Sequence, residues 1–200
     1  PMLSLGNAFD EEDLRNFEKK ILNFLSLKDA STIEYSVEPK IDGISASLTY
    51  IEGKLFKGLS RGDGSEGEDI TENLKTIKDI PTLITDKTFP EEIDIRGEVF
   101  INNKDFEKIS EKFANPRNAA SGSLRQKDYN MTSKIPLKFI AYTHGYIKNI
   151  AIDNQIDFLK KLKFWGFKTN PFNKKITGIK NLISNYKKLE EKRKEIPFDI

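Results

Sequence analysis

The sequence predicts an α+β fold in which antiparallel sheets are flanked by helices. Three observations carry that expectation. Apolar residues recur at spacings of three and four near both ends of the chain, apolar and polar residues alternate in several stretches between them, and a two-residue turn signal joins two of those stretches as a hairpin. Runs of strands with hairpin turns, set between helices, favour α+β over a doubly wound parallel sheet.

The elements follow in order. In "DEEDLRNFEKKILNFLSL", Leu14, Phe17, Ile21, Phe24 and Leu25 share one helical face, Asp10 is the expected N-cap, and acids fill the first turn. "EYSVEPK" reads as a strand running into Lys40. In "ISASLTYIEGKLFKGLSRGDG", Ile44, Ala46, Leu48 and Tyr50 fall on one face and Glu52-Gly53 turns the chain into the partner strand. "GEDITENLKTIKDIP" places Ile70, Leu74 and Ile77 on one side of a helix that ends before Pro81. "EEIDIRGEVFI" is a strand, "NNKDFEKISEKF" a short helix and "PLKFIAYTHGYI" a further strand. "DNQIDFLKKLKFWGF" and "TGIKNLISNYKKLEEKRKEIP" close the chain as amphipathic helices, the first ending near Gly166. Trp165 is expected in packing, and "KKLEEKRKE" as a solvated helix face.

Composition bounds the function. A chain of 200 residues, 37% hydrophobic and 32% charged, fits one globular domain, with or without an appendage. The net charge is only +2, so any positive surface must be local. The absence of cysteine excludes disulfides and thiolate zinc sites within these residues. No apolar run approaches a membrane span, the first residues lack the layout of a signal peptide, and Pro1 in place of Met indicates that these are not the natural ends of the gene product. A soluble, untargeted protein is expected.

The stretch "VEPKIDG" sets Lys40 two residues before Asp42 and three before Gly43. Alone, Lys-x-Asp-Gly is a weak signal, since it occurs by chance in on the order of 4% of chains this long. Read with "RGDGSEGEDITENLKTI" from Arg61, "IRGEVF" from Ile95, "FANPRNAASGSLRQ" from Phe113 and "FIAYTHG" from Phe139, it changes character. Together and in this order these motifs resemble the adenylylation domain of NAD-dependent bacterial DNA ligases, from "PMLSLGNAF" to the last residues.

That resemblance implies a ligase and capping-enzyme type of nucleotidyltransferase fold. It also implies that residues 1–200 are part of one adenylylation domain, with 1–30 a helical entry segment and 31–200 a nucleotide-binding core lacking its C-terminal motifs. Lys40 would be the nucleophile that takes AMP from NAD. A free lysine has a pKa of about 10.4, so burial or nearby cations must favour the neutral amine. Glu38, two residues earlier and on the same strand face by the period-two rule, would receive the adenine amino group. Asp42 would order the turn, and Gly43 would permit positive φ and close approach of backbone to ligand. Arg61 would contact ribose or phosphate, for which a permanently charged fork of donors is suited. Glu98 would bind ribose hydroxyls and help to hold Mg²⁺, directly or through water. Tyr142 would stack on adenine, and Ser4 and Leu5 would touch the dinucleotide, although Gly6 stands where the family usually has aspartate. Arg117 and Arg125, with small residues between them, would hold DNA phosphates at a nick. His144 lies where the family does not require a histidine and is assigned no catalytic role.

The resemblance places the whole protein in the bacterial cytoplasm, associated with the nucleoid, as a monomer acting on nicked double-stranded DNA without any membrane. Zinc is expected only in downstream modules, and the lysines that follow Ile200 in the family lie outside the sequence, so these residues alone are expected not to ligate. Two other readings share some of the signal. An ATP-dependent nucleotidyltransferase has Lys-x-Asp-Gly but not "FANPRNAASGSLRQ", and a ligase-derived remnant or DNA-binding scaffold would be indifferent to Lys40→Ala.

Overall fold

A computed structural model describes Met2, residues 4–29 and residues 33–200. In chain order the helices are α1 (Glu11–Leu25), α2 (Thr71–Lys75), α3 (Asn103–Glu107), α4 (Pro116–Leu124), α5 (Tyr129–Ser133), α6 (Gln155–Phe164) and α7 (Ile179–Glu191). The strands are β1 (Glu34–Val37), β2 (Ile44–Ile51), β3 (Lys54–Ser60), β4 (Glu92–Phe100), β5 (Lys138–Ile147) and β6 (Lys174–Thr177). The chain divides into two units: Lys40–Pro171 with Met2 and Pro197–Ile200, and residues 4–39 with Phe172–Ile196. The expected boundary between residues 30 and 31 lies outside the described residues.

The larger unit is built on a four-stranded antiparallel sheet of order β3-β2-β4-β5. Glu52 and Gly53 adopt φ of 50° and 75°, the left-handed pair that a two-residue hairpin between β2 and β3 requires. Alternation then sorts the side chains. Ala46, Leu48 and Tyr50 of β2, Ile93, Ile95 and Val99 of β4, and Phe139 and Ala141 of β5 are all fully buried. Leu74 of α2 and Phe158 and Leu162 of α6 join the same core. Trp165 is buried too, 5.0 Å from the Phe89 ring, and its Nε1–H donates to Thr88 Oγ1 at 3.2 Å. On the opposite face polar residues of β2 and β4 stand directly across from one another: Ser45 and Glu98, Ser47 and Arg96, Thr49 and Asp94.

Several elements differ from the sequence expectation. The helix in "GEDITENLKTIKDIP" is confined to α2, although Ile70, Leu74 and Ile77 are all buried as its pattern requires. "NNKDFEKISEKF" splits into α3 and a 3₁₀ turn at Ser110–Lys112. The stretch "PRNAASGSL", not expected as a helix, is α4. Its start is well specified, with Pro116 in the first turn and the Asn115 side chain accepting from Asn118 N–H at 2.7 Å.

In the smaller unit β1 pairs with β6 in a two-stranded antiparallel sheet, and α1 begins as expected, Asp10 accepting from Asp13 N–H at 2.8 Å. β1 ends at Val37, so Glu38 and Lys40 follow the strand instead of lying on it, and the period-two argument that paired their faces does not apply. The apolar stripe of α1 is also not core: Phe17 and Leu25 are exposed and Phe24 is 88% exposed. Among the described residues no helix is long and apolar enough to cross a membrane.

Burial separates two positions that the sequence pattern treats alike. Leu48→Ala is expected to lower the unfolding free energy by about 2–5 kcal/mol. Phe24→Ala should stay within about 0.5 kcal/mol of the parent chain. Urea titrations of the two variants check this, and equal midpoint shifts would contradict the burial assignment.

Candidate active site

The polar face of the sheet supplies the floor. Glu98 is only 7% exposed, and its Oε2 accepts from the Ser45 hydroxyl at 2.9 Å across the β2–β4 pair. Burial pushes its carboxyl above the ordinary range. The Ser45 hydrogen bond and the charges of Lys40 and Arg117 oppose that shift, and Asp42 adds to it. Tyr142 comes to the same region through a β-bulge: Thr143 pairs with Arg96 and Ala141 with Gly97, leaving Tyr142 as the extra residue. Its carbonyl accepts from Gln155 Nε2–H at 2.6 Å, and burial raises its phenol, with Ser45, Glu98, Arg96 and Arg61 all acting on it.

Lys40 is exposed in the loop between β1 and β2. Asp42 orders that loop in two ways. Its main-chain N–H donates to the Asp199 carbonyl at 2.8 Å, and its carboxylate receives Arg117 Nη1–H at 2.6 Å. Gly43 does not take the positive φ expected of it. The glycine is needed for another reason: a Cβ there would lie 2.3 Å from the Val99 carbonyl oxygen and 2.9 Å from Glu98 Cγ. The close approach is to β4.

Beside this floor the three predicted arginines line one cleft of about 660 Å³, together with Ser45, Ser121, Glu66 and Glu68. Arg61 Nε–H donates to the Met2 carbonyl at 3.2 Å. The loop that follows it is fastened by Asp63, whose carboxylate accepts from Ser65 and Glu66 N–H at 2.8 and 2.9 Å. Those bonds, the one from Glu66 foremost, hold the Asp63 carboxyl below its ordinary range. Arg117 and Arg125 stand at opposite ends of α4, about 12 Å apart along the axis at 1.5 Å per residue. Arg125 pairs with Glu68, Nε to Oε2, at 3.3 Å.

Sequence reasoning missed Ser45, because its role depends on cross-strand register, and it missed Glu68 for the same kind of reason. The remaining predicted residues, Ser4, Leu5 and Glu38, belong to the smaller unit. Leu5 is exposed there, and Glu38 accepts from the Ser36 hydroxyl at 2.9 Å. His144 packs edge-on against Phe158 at 4.7 Å. No group of three or more His, Cys, Asp or Glu side chains suited to a metal ion occurs among the described residues. The Glu98 carboxylate is a hard oxygen donor of the kind that suits a magnesium ion carried largely by water and phosphate oxygens, not a closed protein cage.

Comparison with known proteins gives a consistent result. A family model described as the NAD-dependent DNA ligase adenylation domain matches residues 1–200. The chain is 77% identical over 200 residues to a DNA ligase of Pelagibacter ubique, covering all of this chain and 30% of that protein. It is 45% identical to a DNA ligase of Parvibaculum lavamentivorans and 42% identical to one of Syntrophus aciditrophicus, in each case over its whole length, covering 29% and 31% of them. The chain thus spans about 30% of the relatives it matches.

The approach of Gly43 to β4 has a measurable consequence. Gly43→Ala forces the loop away from the Val99 carbonyl and is expected to cost about 1–3 kcal/mol of stability. An unfolding midpoint equal to that of the parent chain would show that the contact is absent.

Proposed function

This chain belongs to the family of NAD-dependent DNA ligase adenylation domains, and on that premise we propose that it is the segment of a DNA ligase in which Lys40 accepts AMP from NAD. The observation that carries the reading is the convergence on Glu98. The charges of Lys40 and Arg117, the Asp42 carboxylate and the Ser45 hydroxyl all act on one buried acid beside a cleft lined with arginine.

In the proposed step the Lys40 amine, once it has lost a proton, forms a bond from Nζ to the α-phosphorus of NAD. The bond from that phosphorus to the bridging oxygen breaks, and nicotinamide mononucleotide departs with the oxygen. Arg61 would hold ribose or phosphate, Glu98 the ribose hydroxyls, and Tyr142 the adenine ring, while Asp42 and Gly43 keep the lysine loop in place. For Ser4, Leu5 and Glu38 the assignment rests on the sequence motifs alone. Mg²⁺ would be held by Glu98 together with water and substrate phosphate, where it would offset negative charge. Arg117 and Arg125 would serve a later stage by holding phosphates of nicked duplex DNA. On this reading the whole protein seals nicks as a monomer in the bacterial cytoplasm, in association with the nucleoid, and zinc belongs to other parts of it.

Intact-mass analysis of the whole ligase after incubation with NAD and Mg²⁺ provides the test. One adenylyl group is expected on the parent enzyme and none on Lys40→Ala, and residues 1–200 alone are expected to acquire none. An adduct that persists in Lys40→Ala would overturn the assignment of the nucleophile, and an adduct formed from ATP in place of NAD would overturn the donor.

A further inference from the structure

The nucleotide chemistry leaves one part of the sequence motifs without a duty: "TENLKTI", which carries Asn73. This asparagine lies on α2 and is 8% exposed, and both N–H groups of its carboxamide are used. One donates to the Gln126 carbonyl at 2.9 Å and the other to Thr132 Oγ1 at 2.7 Å. The Thr132 side chain, fully buried on α5, in turn donates to the Ser123 carbonyl at 2.8 Å. Ser123 and Gln126 bracket Arg125.

The last carbonyls of a helix lack intrahelical partners, and a glycine just past the end commonly lets the backbone satisfy them. α4 has no such glycine, since Gln126 and Lys127 follow Arg125. Side chains finish it instead: Gln126 Nε2–H donates to the Gly122 carbonyl at 3.1 Å, Thr132 takes Ser123, and Asn73 takes Gln126. α2 also follows directly on the loop that carries Arg61 and Glu68, and Asp69 fastens the junction by accepting from Thr71 N–H at 3.0 Å and from its hydroxyl at 2.6 Å. One buried amide thus joins the two walls of the cleft.

We propose that Asn73, acting through Thr132, is the positioning residue that fixes the C-terminal end of α4 and so sets Arg125 where it meets a phosphate of the DNA backbone. The proposal rests on the reading of Arg125 as a phosphate contact. A buried amide whose two donors reach two different segments holds them with more geometric precision than surface charges do, because each bond it loses would leave a polar group unpaired away from water.

The test is the salt dependence of nicked-duplex binding by the whole ligase. Each phosphate contact contributes about 0.9 to the slope of log affinity against log salt. Arg125→Ala is expected to lower that slope by about one and to weaken binding roughly tenfold. Asn73→Ala and Thr132→Val should reproduce both effects, Thr132→Ser should retain the parent slope, and adding Arg125→Ala to Asn73→Ala should lower it no further. Ile93→Val, a conservative core substitution in β4, serves as a control for destabilisation and should keep the parent slope. If Asn73→Ala does not fold, Thr132→Val and Thr132→Ser decide the matter. A lowered slope in Arg125→Ala with parent slopes in Asn73→Ala and Thr132→Val overturns the positioning role and leaves the phosphate contact standing. A parent slope in Arg125→Ala overturns the phosphate contact, and the positioning role with it.

Discussion

An acid withdrawn from water on the polar side of a sheet needs donors and opposite charge close at hand, and Glu98 is in that position. Ser45 reaches it because β2 and β4 are paired in one register, and that register is enforced from the other side, where Ala46, Leu48, Ile93, Ile95 and Val99 are fully buried. A slip by one residue would exchange the two faces and put the acid into the apolar core. The apolar core therefore specifies the polar site. The charges of Lys40, Asp42 and Arg117 act on this acid, and Arg117 is bonded to the Asp42 carboxylate.

α4 shows how little chain is needed to carry two arginines. Three of its four buried residues, Ala119, Ala120 and Ser123, are small, the fourth being Leu124, while the arginines at its ends remain at the cleft. The two longest motifs in the sequence are also physical neighbours. Asn73 from one is bonded to Gln126 from the other, which gives their joint presence a structural reason apart from shared chemistry.

Much of this was legible in the sequence. The hairpin at Glu52-Gly53, the inward face of β2, the Asp10 cap and the buried Trp165 followed from local rules of turn chemistry and periodicity. Local rules failed where tertiary contacts decide. Ile77 is buried without being helical, and α4 was hidden because serine and glycine read as turn formers. Tyr142 was found through its motif, but the bulge that delivers it depends on a partner strand. Gly43 does not take the positive φ expected of it, and the clash with β4 that a Cβ would cause cannot be seen from one segment. The stripe on α1 predicted a helix correctly, and its exposed Phe17, Phe24 and Leu25 show that periodicity reports a face and not what covers it.

The lysine loop is closed by the far end of the chain. Asp42 N–H donates to the Asp199 carbonyl, Asn103 N–H to that of Pro197, and Phe198 packs on Phe100 at 5.1 Å. More than three quarters of the chain separates Asp42 from its partner, and a contact between such distant segments can form only after a very large loop has been gathered in. During synthesis the Asp42 N–H must wait for this partner until residues past α7 have left the ribosome. Assembly of the larger unit is in this respect a late event, timed by translation of its last residues.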